Sequence, residues 1–166
     1  MTNSTISQIK VNASKTYVSY RIRVKVSDLE PSWLTNIIGI TPSWEFIAGE
    51  EYLTKRPDGA GGWKNVTSTR PFSVWGLTTK QIVDSSDLER HCEYLVNILE
   101  PKSYILKDLI YKPQSFDIGL LFRIETKNII FSDTVSSKFL GLLAELSHFI
   151  DISTAFTGMD STDLNQ

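Results

Sequence analysis

Polar and apolar residues alternate one for one along residues 17–26. Val18, Tyr20, Ile22, Val24 and Val26 share one side, while Ser19, Arg21, Arg23 and Lys25 share the other. Period-two alternation of this length predicts a strand with one buried and one wetted face. Residues 116–125 repeat the pattern, with Phe116, Ile118, Leu120, Phe122 and Ile124 opposite Asp117, Arg123 and Glu125. A wet face favours an antiparallel or mixed sheet over a parallel sheet covered on both sides.

Elsewhere the apolar period lengthens to that of a helix. Trp33, Leu34, Ile37 and Ile38 follow Pro31, whose missing N–H is harmless at a first helical position. Asp28 and Glu30 place negative charge at that helix start, Gly39 suits the residue just past its end, and Pro42 blocks continuation. Ser86-Asp87-Leu88-Glu89 matches a capping box, and Leu88, Cys92, Leu95 and Leu99 follow at helical spacing. This helix should break or bend at Pro101 and resume through Ile105, Leu106 and Leu109, ending before Pro113. Asp133 is the predicted cap of a last helix through Phe139, Leu142, Leu143 and Leu146.

Shorter strands fill the gaps. Residues 44–53 read as a strand, broken or bulged near Gly49, and residues 72–77 as its return. Between them, residues 55–62 form the longest cluster of breakers, so the two strands are expected to form a long hairpin with a mobile loop. Residues 150–156 make a last strand, and residues 9–11 and 128–131 are short strand candidates. Polar tails at 1–14 and 158–166 are expected to flank a single domain at 15–157. The predicted fold is a two-layer α+β domain, with helices on one face of a mainly antiparallel sheet. Its order contains the ferredoxin-like β-α-β-β-α-β, with a helix and a strand added at the C-terminal end.

Composition narrows the function. The 166 residues, 41% hydrophobic and 22% charged, suffice for one domain with a full core. A single cysteine, Cys92, excludes an internal disulfide and fits a reducing, cytoplasmic setting. No apolar run reaches the roughly 18 residues of a membrane span, and residues 1–14 lack the apolar core of a secretory signal. The net charge of −2 supplies no overall electrostatic footprint for nucleic acid.

Several short motifs, in this order, resemble the bacterial family labelled domain of unknown function 4279. Tyr17-Val18-Ser19-Tyr20-Arg21-Ile22 is similar to its first strand, and Asp28-Leu29-Glu30-Pro31 to its Asp-Leu-Asp-Pro helix start. Ile38-Gly39-Ile40-Thr41-Pro42 resembles its Leu-Gly-hydrophobic-x-Pro turn, and Ala48-Gly49-Glu50 its Lys-Gly-Glu. Val74-Trp75-Gly76-Leu77 resembles its Trp-Ser-Leu strand, with Gly76 in place of Ser. The helix from Leu88 that ends in Leu99-Glu100-Pro101 is similar to its acidic helix ending in Leu-Glu-Pro. The resemblance spans residues 17–156 and implies a shared fold. It brings no catalytic or binding residues.

No constellation for bond-making survives inspection. Gly59-Ala60-Gly61-Gly62-Trp63-Lys64 fits neither phosphate-loop spacing and has no helix start behind it. His91 and Cys92 are neighbours on a helix and point about 100° apart, Cys92 shares the apolar stripe, and His148 lies far along the chain. Neither a Cys–His pair nor a metal set follows, and no cofactor is expected. Glu50 and Glu51 fall on opposite sides of a strand, so a carboxylate pair would need Asp117 or Asp151.

What remains is surface. Arg21, Arg23, Lys25, Asp117 and Arg123 mark an exposed sheet face, where Asp117, Glu125 and Asp151 offset the basic charge. Trp33, Trp44 and Trp75 are assigned to the core, and Trp63, carried by the glycine loop, to solvent or a partner. The first expectation is a non-catalytic protein-interaction domain with an immunity-type or regulatory partner. It would bind through the open face, a free edge strand or residues 55–64, and an exposed edge also invites homodimerisation. The alternative is an enzyme or small-ligand binder with a pocket of Trp44, Glu50, Arg70 and Trp75; a third, weaker reading is single-stranded RNA binding on the aromatic and basic face. Trp44, Glu50, Trp63, Arg70 and Trp75 are thus the candidate ligand or partner residues.

Overall fold

The alternating segments pair with each other at the middle of the sheet. In the computed structural model, which describes residues 13–26, 29–126 and 134–156, β1 (Ala13–Val24) lies between β5 (Ser73–Thr78) and β6 (Phe116–Thr126). β2 (Trp44–Phe46) forms one edge and β7 (Phe149–Phe156) the other, in the order β2-β5-β1-β6-β7. All neighbours are antiparallel except β6 and β7, which are parallel across the crossover helix α4 (Ser137–Glu145). The fold is therefore α+β, with a mainly antiparallel five-stranded sheet.

Register decides which side is dry. Val18, Tyr20, Ile22 and Val24 lie opposite Phe122, Leu120, Ile118 and Phe116, and all eight are buried. Trp75 and Leu77 continue the same side through Ile22 and Tyr20. Helices α1 (Pro31–Ile38), α2 (Leu88–Leu99), α3 (Ser103–Ile110) and α4 add Leu34, Ile38, Cys92, Leu95, Leu99, Leu106 and Leu143 to this core. Two buried polar tips find partners there. The Tyr20 hydroxyl donates to the Leu146 carbonyl at 2.6 Å, and Trp75 Nε1 donates to Thr35 Oγ1 at 3.1 Å. Burial pushes the Tyr20 phenol far above its ordinary pKa, so it remains a donor at every physiological pH.

Local chemistry sets the ends. Gly39 sits at φ 70°, and its N–H donates to the Thr35 carbonyl, a left-handed C-terminal cap. Glu30 precedes α1 without a side-chain cap bond, and Asp28 lies outside the described residues. A 3₁₀ turn at Glu100–Lys102 takes up the break at Pro101. The predicted capping box is replaced by a simpler cap. Asp87 accepts from the Glu89 N–H at 2.9 Å, and Ser85 Oγ accepts from the Asp87 N–H, so the helix starts one residue later. The cap of α4 is Ser136; Asp133 and the strand candidates at 9–11 and 128–131 lie outside the described residues.

The expected break in 44–53 falls at Gly49, which takes φ 88° between two strands. Two further expectations are corrected. β2 does pair with β5, but β3 (Glu51–Pro57) leaves the sheet and pairs with β4 (Trp63–Thr69) as a separate hairpin. Its turn is held by Asp58, which accepts from the N–H groups of Ala60 and Gly62; these bonds keep its carboxylate below the ordinary aspartate pKa. Trp33, expected in the core, is 39% exposed and stacks on Phe116 at the rim.

Tyr20→Phe should lower stability by about 1 kcal/mol, because it deletes one buried hydrogen bond and strands the Leu146 carbonyl. Chemical denaturation reads this directly, and an unchanged midpoint would contradict the bond.

Candidate binding face

The far side of the sheet is built from the residues that the core excludes. Register places Trp44, Gly76, Arg21, Gly119 and Phe149 in one row that crosses all five strands. A second row runs Phe46, Val74, Arg23, Asp117. The two glycines are required for clearance rather than for backbone freedom. A Cβ at Gly76 would overlap the Trp44 indole, and one at Gly119 would overlap the Phe149 ring. Each edge-strand ring therefore folds inward over a glycine, toward Arg21 in the middle.

Guanidinium groups and rings alternate on this face. Arg70 is sandwiched between Phe46 and Tyr52, its carbon 3.5 Å and 4.1 Å from their centroids. Arg23 lies 5.1 Å from the Phe72 centroid and forms an ion pair with Asp117 at 3.2 Å. Arg21 lies 5.8 Å from the Phe149 centroid.

The cations of the face differ in their partners. Lys25 Nζ donates to the Pro113 carbonyl at 2.9 Å, Arg123 Nη1 donates to Ser153 Oγ, and Arg23 holds Asp117. Arg21 donates no side-chain hydrogen bond and forms no ion pair among the described residues; its Nε is buried and unsatisfied. Burial lowers its pKa, with Arg23 adding to the effect and Asp117 and Asp151 opposing it.

The candidate residues from the sequence separate accordingly. Trp44, expected in the core, is instead half-buried on this open face, beside Phe46, because it pairs with Gly76 rather than with the buried Trp75. Arg70 and Glu50 stand at the base of the β3–β4 hairpin, where the Arg70 N–H donates to the Glu50 carbonyl and the Glu50 carboxylate accepts from the Ile47 N–H. Trp63, 69% exposed, sits opposite Pro57 at the hairpin's far end. Trp75 is fully buried on the helix side, so Trp44, Glu50, Arg70 and Trp75 do not converge on one cavity. Asp117 is held in an ion pair by Arg23.

Both histidines serve the fold. His91, fully buried, lies 2.6 Å from Thr79 Oγ1 and 2.9 Å from the Ser85 carbonyl. His148 Nδ1 accepts from the Ile118 N–H, which leaves Nε2 to donate to the Ile110 carbonyl. Cys92 is buried in the core. Among the described residues no three His, Cys, Asp or Glu side chains gather as a metal set, and no helix is long and apolar enough to cross a membrane. Sequence reasoning missed the pairing of Gly76 and Gly119 with Trp44 and Phe149. The signal was a glycine inside each of two otherwise regular strands.

Residues 14–157 match the family described as Domain of unknown function (DUF4279), and the chain belongs to that family. No curated protein and no solved structure matches the chain.

Gly76→Ala and Gly119→Ala should each lift one ring off the face at a cost of about 1–3 kcal/mol. The Trp44 indole N–H and the Phe149 ring protons would report this as large NMR shifts; unchanged ring signals would contradict the placement.

Proposed function

We propose that this protein is a non-catalytic protein-binding domain that works through the open face of its sheet. The observation that carries this reading is the alternation of arginines and rings on that face, from Tyr52–Arg70–Phe46 to Arg23–Phe72 and Arg21–Phe149. Arginine and large aromatics dominate binding hot spots, because they bury much area at little entropic cost and retain polar specificity. The usual nucleophile and base types support a binding role too. Cys92 is buried in the core, and both histidines are engaged by hydroxyl or backbone groups.

We further read β2-β5-β1-β6 with α1 and α2 as a ferredoxin-like unit. Its support is the antiparallel pairing throughout those four strands, with α1 between β1 and β2 and α2 between β5 and β6. The partner in this reading is an immunity-type or regulatory protein of a bacterial cytoplasm.

Capture from a host lysate tests the role. Wild-type protein should retain a partner that Trp44→Ala and Arg70→Glu lose and that Tyr104→Ala, on the exposed side of α3, keeps. Equal capture by all variants, or none above background, would count against it.

A further inference from the structure

We propose that Arg21 is the receptor for a carboxylate that a protein partner presents beside a flat apolar group, received between Trp44 and Phe149. The inference rests on the protein-binding reading and names the chemistry of the contact.

Three observations converge. Arg21 sits at the centre of the central strand, directly opposite Gly76 on one side and Gly119 on the other. Both flanking positions lack side chains of their own, and the space beside Arg21 on either strand is taken by an aromatic ring. Trp44 and Phe149, leaning over those glycines, supply apolar walls. The side-chain donors of Arg21 are unspent among the described residues. Lys25, Arg23 and Arg123 each have a partner, whereas the Arg21 side chain donates to none among the described residues and its Nε is buried. A partly desolvated guanidinium with unused N–H groups is a mismatch that an anion corrects.

The surroundings select the anion. Arg23 and Arg123 act on Arg21 electrostatically and are offset by Asp117 and Asp151, so among these groups Arg21 supplies the one unbalanced positive charge, which a single negative charge neutralises and a dianion exceeds. A carboxylate carries one charge and matches the planar fork of a guanidinium with two parallel hydrogen bonds. The walls then favour a carboxylate with flat apolar surface next to it, as an acidic residue beside an aromatic one provides.

The Arg21 Nε–H resonance is the readout, assigned by its loss in Arg21→Lys. Benzoate serves as the minimal probe, benzamide as its neutral counterpart and phenyl phosphate as the dianion. Benzoate should shift the Arg21 signal saturably, and Arg21→Lys, with its backbone spectrum otherwise preserved, should bind benzoate about tenfold or more weakly. No saturable shift, an equal response to benzamide, or tighter binding of phenyl phosphate would each overturn the proposal. Its failure is distinct from failure of the protein-binding reading. Partner capture that depends on Trp44 and Arg70 but resists excess benzoate removes the carboxylate contact and leaves the binding role. Benzoate binding at Arg21 without any face-dependent capture does the reverse.

Discussion

Successive side chains of a strand point to opposite faces, and β1 is held on both sides by neighbours that fix its register. That constraint governs the molecule. Once Val18, Tyr20, Ile22 and Val24 enter the core, Ser19, Arg21 and Arg23 must face away. A slip of one residue would drive two guanidinium groups into apolar packing, at a cost no local rearrangement offsets. The ladders carry the decision outward, to Trp75 and Leu77 in β5 and to Phe116, Ile118, Leu120 and Phe122 in β6. The helices then cover the side on which this apolar surface collects.

The open face inherits its chemistry from the same register. Arg21 meets glycine on both flanks because Gly76 and Gly119 each lie directly opposite it. Larger residues there would displace Trp44 and Phe149. The face is thus a row in which a cation stands between two rings, next to a row in which Arg23 is already neutralised by Asp117. Stability asks only that these residues face water. Their arrangement beyond that is what the proposed binding role rests on.

The central strands were legible in the sequence because strict alternation has no helical counterpart, and Pro31, Gly39 and Pro101 mark element ends through fixed backbone chemistry. The β3–β4 hairpin was only half legible. Thr67, Ser68 and Thr69 carry no apolar alternation, because a two-stranded ribbon off the main sheet has little core to face. Trp33 shows the limit of helical periodicity. It lies near the apolar stripe of α1, yet the end of β6 leaves it a rim position on Phe116 rather than a core one. The place of Arg21 on the open face follows from the sequence, but its lack of a hydrogen-bond or ion-pair partner among the described residues does not. That depends on which residues the neighbouring strands bring opposite, and cross-strand register is not written in any one segment.

Adjacent positions on β1 test the two-faced sheet most directly. Ile22→Ala and Arg21→Ala can be compared by chemical denaturation under the same conditions. Ile22→Ala should lose about 2–5 kcal/mol, the usual result of emptying a buried site. Arg21→Ala should stay within about 0.5 kcal/mol of wild type, since its guanidinium has no hydrogen bond or ion pair to lose among the described residues. Comparable losses at both positions, or a larger one at Arg21, would contradict the account.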